Sequence, residues 1–584
     1  MQRALVYLLL LATPMLVFAE SGQALPSEAA VALESASDES EPESTGSALL
    51  QPLLEGEFAL QGGDPATAAR AFAQAMLLSD DPKIAERAVQ TALLANELEL
   101  ARQALSRWQA LQPDDANIAA ASLRLALRSG DNEAARDTIA KLFAREDGWK
   151  MAAAALSSHP DKNAASALLG ELIEADQLPD VFDAWLTLGG VALRLNDKDL
   201  YAKLAANAPE KFPEQPRAWV WLAESARERG AQEASRQALR KALSLPGLDD
   251  AALLGIAAQF NAIGDPATAA RTLERASGDD AILGARATYL LRAKDNAGLD
   301  ALYRDASRNP DDKDGKKGDP KKAEAKKREF PPQRLFLIGQ ISEMREDHAA
   351  ALEWYRKITS GPTWEQAQLR IALVLDKLGR HDEAIARLRE IQAGDVESGE
   401  LIRDAYLFEA ELHRQANAGK EELAALARGL SIFEDDPGLL YSRALAYERA
   451  DRVDEAIADL RALSEDAPED PTYLNALGYT LADRTDKLQE ALGYIEKAYE
   501  LDPHEPAILD SMGWVLHKLG KHAEALPFLQ KAFEQQRDAE IAAHLANVLW
   551  ALGQKDEARS MLRLGLELGG DSRALQAAIE MIGE

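Results

Sequence analysis

Eight histidines and no cysteine set the limits of the side-chain chemistry open to this 584-residue chain. Without thiols there is no disulfide framework, no thiolate nucleophile and no cysteine zinc site. An acid–base or metal site must then draw on histidines and carboxylates, and the histidine spacing argues against one. His348, His381 and His522 share position 17 of an internal repeat, in the turn that leads into a second helix. His413, His517 and His544 fall on the first helices of separate units, too scattered for a metal cluster. No HExxH zinc helix, GxSxG nucleophile elbow or GxxxxGK(S/T) phosphate loop occurs. Asp311, Asp312 and Asp314 stand before Gly315 as in a calcium loop, but Pro310 takes the first ligand position and Lys321 the last. The expectation is a chain that is not an enzyme and holds no cofactor or metal.

The elements that carry these residues repeat. Between Pro471 and Leu562 one helical hairpin is written three times at a period of about 34 residues. Leu477-Gly478, Ala491 and Ala498 recur as Met512-Gly513, Ala525 and Ala532, then as Leu545-Ala546, Ala558 and Gly565. Position 8 is small throughout, from Gly56 and Gly189 to Gly339, Gly478 and Gly513, which lets two helix backbones approach closely. Position 15 is often glycine, as at Gly63, Gly379, Gly520 and Gly553, which suits the left-handed residue that ends a helix. Trp185 and Trp219 at position 4 are expected to fill the core between hairpins. This pattern resembles the tetratricopeptide repeat. The resemblance implies an all-α solenoid, a right-handed superhelix of helical hairpins whose inner wall comes from the first helix of each unit.

In chain order, Arg3 precedes an apolar run from Ala4 to Ala19 that ends in Val17-Phe18-Ala19. Residues 1–19 are therefore expected to be a signal peptide cleaved after Ala19, with export to the periplasm. Residues 20–48, acidic and rich in Ser and Ala, are expected to be a disordered spacer. A first repeat array follows over 49–306, with unit starts near Leu49, Pro82, Ala116, Phe182, Pro216 and Asp250 and worn copies around Met151 to Ile173 and Ala281 to Asp305. Residues 307–331 form a charged, Lys-rich insertion with two prolines and Asp-Gly and Gly-Asp steps that discourage a continuous helix. A second array spans 332–570, and 571–584 is expected to be a capping helix.

The wall positions that the resemblance assigns in the last four units hold aromatics interleaved with amides and charges. They include Tyr441, Leu445, Asn475, Tyr479, Asp483, Asp510, Trp514, His517, Lys518, Asn547 and Trp550. Such a surface suits a peptide or partner protein. A formal net charge of −31 argues against a nucleic-acid binder, because phosphate neutralisation needs a broad basic surface. The opening array, LLEGEFALQGGDPATAARAFAQAM and then DPKIAERAVQTALLA, is similar to bacterial envelope repeat adaptors that partner a carboxyl-terminal processing protease. That resemblance implies an adaptor presenting substrates such as cell-wall hydrolases. In that family the adaptor is a lipoprotein, and the absence of a lipobox cysteine here leaves membrane association open. The alternative is a structural assembly factor of an envelope polysaccharide or outer-membrane export machine.

Overall fold

A computed structural model describes residues 45–159, 161–308, 330–394, 398–569 and 573–583. The signal segment, most of the spacer and the Lys-rich stretch with Asp311, Asp312 and Asp314 lie outside the described residues. Among the described residues all regular structure is helical, in antiparallel pairs. The described residues divide into two compact units, one ending at Ala306 and one beginning at Ser307. The first helix, Thr45–Gln61, begins inside the stretch read as spacer. Both degenerate stretches of the first array also fold as helical pairs, Gly148–Ser157 with Lys162–Glu174 and Asp280–Arg292 with Asn296–Ala306.

Local sequence sets where the helices start and stop. Pro82, Pro437 and Pro471 open first helices, a position at which the missing N–H of proline costs nothing. The aspartate before each proline accepts from the exposed backbone. Asp81 accepts from the Lys83 N–H at 2.9 Å, and Asp470 from the Thr472 N–H at 2.8 Å. Each such cap contributes about 1 kcal/mol. At the other end, Gly520 has φ +81°, and the Lys521 N–H returns to the Leu516 carbonyl at 2.9 Å. Where a unit lacks that glycine, Asn96, Asn196 and Asp451 adopt the left-handed conformation instead, as the residues after glycine best able to do so.

Small residues let the hairpins close. A Cβ added at Gly478 would stand 2.5 Å from the Ile495 side chain, and one at Gly56 would stand 2.6 Å from the Phe72 ring. At Gly513 and Gly339 it would overlap Leu529 and Tyr355. In these four cases the obstruction is the second helix of the same hairpin. Gly189 differs, because its obstruction is Trp221 of the next hairpin, at 2.5 Å. The position-4 tryptophans also depart in part from expectation. Trp185 is buried, but Trp219 is only partly so, and it is Trp221 that fills the seam. Both position-4 indoles donate to a proline carbonyl six residues earlier, Pro179 and Pro213, at 2.9 Å. At the carboxyl end the helix Arg573–Ile582 buries Leu575, Ala578 and Ile582.

Candidate functional site

In the second unit the first helices Pro471–Arg484, Pro506–Lys518 and Ala539–Ala551 bring the aromatic wall residues together. Trp514 sits at the centre. Its ring stacks on His544 at 4.1 Å between centroids and on His517 at 5.3 Å, and its indole N–H donates to the Asp483 carboxylate at 3.2 Å. His522 packs on His517 at 4.7 Å. Thus His517, His522 and His544 are not scattered. Successive first helices lie side by side, so residues one repeat apart in sequence become neighbours in space. Among the described residues no group of three or more His, Cys, Asp or Glu is placed to hold a metal ion.

Electrostatics ties this cluster to carboxylates on three hairpins. His544, 0 % exposed, meets both oxygens of Asp510 at 3.0 Å through Nδ1. Burial alone would disfavour its charged form, but the Asp510 carboxylate, with Glu540 and Asp483 beyond it, raises its pKa above the ordinary imidazole value. The Tyr479 hydroxyl donates to Glu540 at 2.7 Å, spanning two hairpins. Burial and the nearby Glu540, Asp483 and Asp510 hold that phenol well above its usual range. His517 goes the other way. Burial, then the neighbouring His522, His544 and Lys518, lowers it to about 4.

The remaining wall residues occupy different depths. Trp514 is 8 % exposed and Asn547 1 %, so both lie within the seam between hairpins. Tyr441, Asn475, Tyr479, Asp483 and His517 are partly buried. The Tyr441 ring leans on Tyr473 at 5.6 Å, and burial first, then Tyr473, Asp470 and Glu448, pushes its phenol up to about 12. Lys518 is exposed, with its ammonium 5.3 Å from the centre of the Trp514 ring. Trp550 is partly exposed beneath Lys555 and Arg559, at 4.9 and 5.5 Å from its centroid. Sequence reasoning passed over Glu540 and gave His544 no partner. The short polar side chains at first-helix positions one repeat apart were the signal available.

The first unit offers a different surface. A groove of about 720 Å³ crosses the first helices Pro82–Leu94, Ala116–Ser129 and Gly148–Ser157. Trp108 reaches it from a second helix and is buried with its indole N–H unpartnered. Leu94, Met151 and Gln90 line it beside Arg124, Arg128 and Lys150. His159 closes one end, its Nε2 2.9 Å from the Leu127 carbonyl.

Models of the tetratricopeptide repeat match residues 199–252, 366–393, 441–506 and 516–582. A TPR repeat-containing protein of Pseudomonas aeruginosa is 38 % identical over 210 residues, which is 36 % of this chain and 35 % of that protein. The chain thus spans about a third of the length of the curated relative it matches. Among solved structures, a thermophilic TPR protein of Thermus thermophilus is 20 % identical, with 31 % of this chain and 98 % of that one covered at a TM-score of 0.28. A tetratricopeptide repeat protein of Parabacteroides merdae is 14 % identical, with 43 % and 99 % covered at 0.35.

Proposed function

We propose that this chain, which carries tetratricopeptide repeats, is a non-catalytic scaffold of the bacterial periplasm that presents substrates such as cell-wall hydrolases to a carboxyl-terminal processing protease. The observation that carries the scaffold reading is the open groove across three consecutive first helices. It is a long surface shaped by packing and lined by side chains suited to contact. The polar cluster around Trp514 supports the non-catalytic part, because its acids and histidines are paired or stacked with one another inside the wall. The apolar run ending in Val17-Phe18-Ala19 supports export, and the likeness of the opening array to envelope adaptors supports the protease partner.

Affinity purification of the tagged full chain from its own envelope, with captured proteins scored by mass spectrometry, tests this reading. A carboxyl-terminal processing protease and at least one cell-wall hydrolase are expected above the level of a tag-only control. Recovery of export-machine components instead, without the protease, would overturn the adaptor role in favour of an assembly factor.

A further inference from the structure

The groove over Pro82–Leu94, Ala116–Ser129 and Gly148–Ser157 differs in charge from the chain that carries it. The chain has 97 acidic residues to 66 basic ones. The groove is lined by Arg124, Arg128 and Lys150 against the single carboxylate of Glu86. These cations are little engaged by the protein itself. Arg124 is exposed and makes no hydrogen bond or ion pair with the described residues. Arg128 gives one N–H to the Leu93 carbonyl at 2.6 Å. Lys150 meets Asp147 at 2.8 Å with both side chains more than half exposed, and its ammonium lies 5.3 Å from the centre of the Trp149 ring, exposed contacts of little net worth that a better partner displaces. Glu86 is already occupied in part by the Gln90 amide at 3.1 Å.

Apolar surface runs between these charges. Leu94 is 62 % exposed, and Met151 is partly exposed. Adjacent packed helices lie 8–10 Å apart, so three of them span roughly 20 Å, the length of about thirteen helical or six extended residues. A single-stranded nucleic acid fits less well, because Trp108, the tryptophan in the groove lining, is buried and gives bases no face to stack on.

We propose that this groove is a docking site for an acidic amphipathic segment of a partner protein, its carboxylates meeting Arg124, Arg128 and Lys150 and its aliphatic side chains covering Leu94 and Met151. The assignment rests on the scaffold reading above and adds the chemistry of one partner. It places capture of that segment in the first unit, in a groove assembled around the most worn of the hairpins.

The test uses the full chain and three labelled peptides of about fourteen residues, identical in their leucines and carrying glutamate, glutamine or lysine at the polar positions. Fluorescence anisotropy is expected to rank glutamate above glutamine above lysine, with about tenfold between the extremes. Raising the salt should compress that ranking. In the Arg124→Glu/Lys150→Glu variant the order is expected to invert. Both positions are exposed, so circular dichroism should be unchanged. A separate variant, Leu94→Ser, should weaken all three peptides together. No binding by any peptide, a charge order unaffected by the reversal, or equal binding of a single-stranded oligonucleotide would overturn the proposal. These outcomes are independent of envelope capture. If the protease and hydrolase are still recovered with the double reversal and the peptides never bind, the groove assignment alone fails. If the peptides invert as expected and no protease is recovered, the adaptor role alone fails.

Discussion

The two inner surfaces are built from the same hairpin and do opposite things with it. Around Trp514 the second unit fills its wall with its own side chains, and the charges there are mainly carboxylates, Asp483, Asp510 and Glu540, that answer His544, Tyr479 and the indole. In the first unit the wall between Leu94 and His159 stays open, and its charges are mainly cations with few partners. The difference follows from side-chain size. Aromatic and imidazole rings at first-helix positions bridge adjacent helices and close the space between them. Gln90, Ala120, Arg124 and Ala154 cannot. A repeat whose wall is rich in rings therefore packs its first helices together, and one with small and long flexible side chains keeps a surface available to another molecule.

The largest effect expected from this contrast comes from unpairing the closed wall. Asp510→Ala leaves His544 buried without its Nδ1 partner and should destabilise the second unit by about 3–5 kcal/mol. Arg124→Ala in the open wall removes an exposed cation and should stay within about 0.5 kcal/mol. Urea unfolding of the full chain, followed by tryptophan fluorescence and circular dichroism, measures both. Equal midpoints for the two variants would show that the network around His544 contributes no more than a surface charge.

A smaller contrast lies within the second unit. Trp514 fills the seam, and Trp550 lies at its edge under two cations. Trp514→Ala should cost about 3–5 kcal/mol, as for other buried aromatic truncations. Trp550→Ala should cost about 1–2 kcal/mol, from partial burial and exposed cation contacts. Trp514→Phe, which keeps a six-membered ring in the seam but loses the rest of the indole together with the N–H donated to Asp483, should fall between them. If Trp550→Ala proves the more costly, the edge of the wall and not its centre holds these hairpins together.

The fold was legible because its signals act within a single turn. Pro82, Pro437, Pro471 and Pro506 open helices at the positions the repeat frame gives them, and Gly520 and Gly553 take the left-handed conformation their spacing implies. The depth of the wall was not legible, because it depends on contacts between residues a repeat or more apart. His544 pairs with Asp510, and Tyr479 pairs with Glu540 two hairpins on. Repeat position alone could not distinguish Asn547, sealed in the seam, from Lys518, which is exposed. Nor could it decide between Trp219 and Trp221, two residues apart on one helix, for the seam at Gly189. The groove of the first unit left no motif at all. It depends on the short helix Gly148–Ser157, where the repeat signature has worn away.

The closed wall should also reveal itself through pH, with its two stacked histidines pulling in opposite directions. His517 has a folded pKa of about 4 against an ordinary 6.5, so between those values the unfolded chain binds the extra proton. Stability is therefore lost as pH falls from 6.5 toward 4. His544 has a raised folded pKa, so here the folded chain holds the extra proton. Its contribution is complete below 6.5 and is lost as pH rises through the folded value. His517→Gln should flatten the acid arm of the stability profile by on the order of 1 kcal/mol, an amount limited by solvent screening of a partly exposed ring. His544→Gln should flatten the opposite arm and lower stability most at the acid side of that arm, where Asp510 loses its charged partner. Urea midpoints for the second-unit transition across pH 4 to 8 separate the two. If His517→Gln leaves the acid slope unchanged, the His517 imidazole is not the source of the acid arm and serves in the stack only as packing.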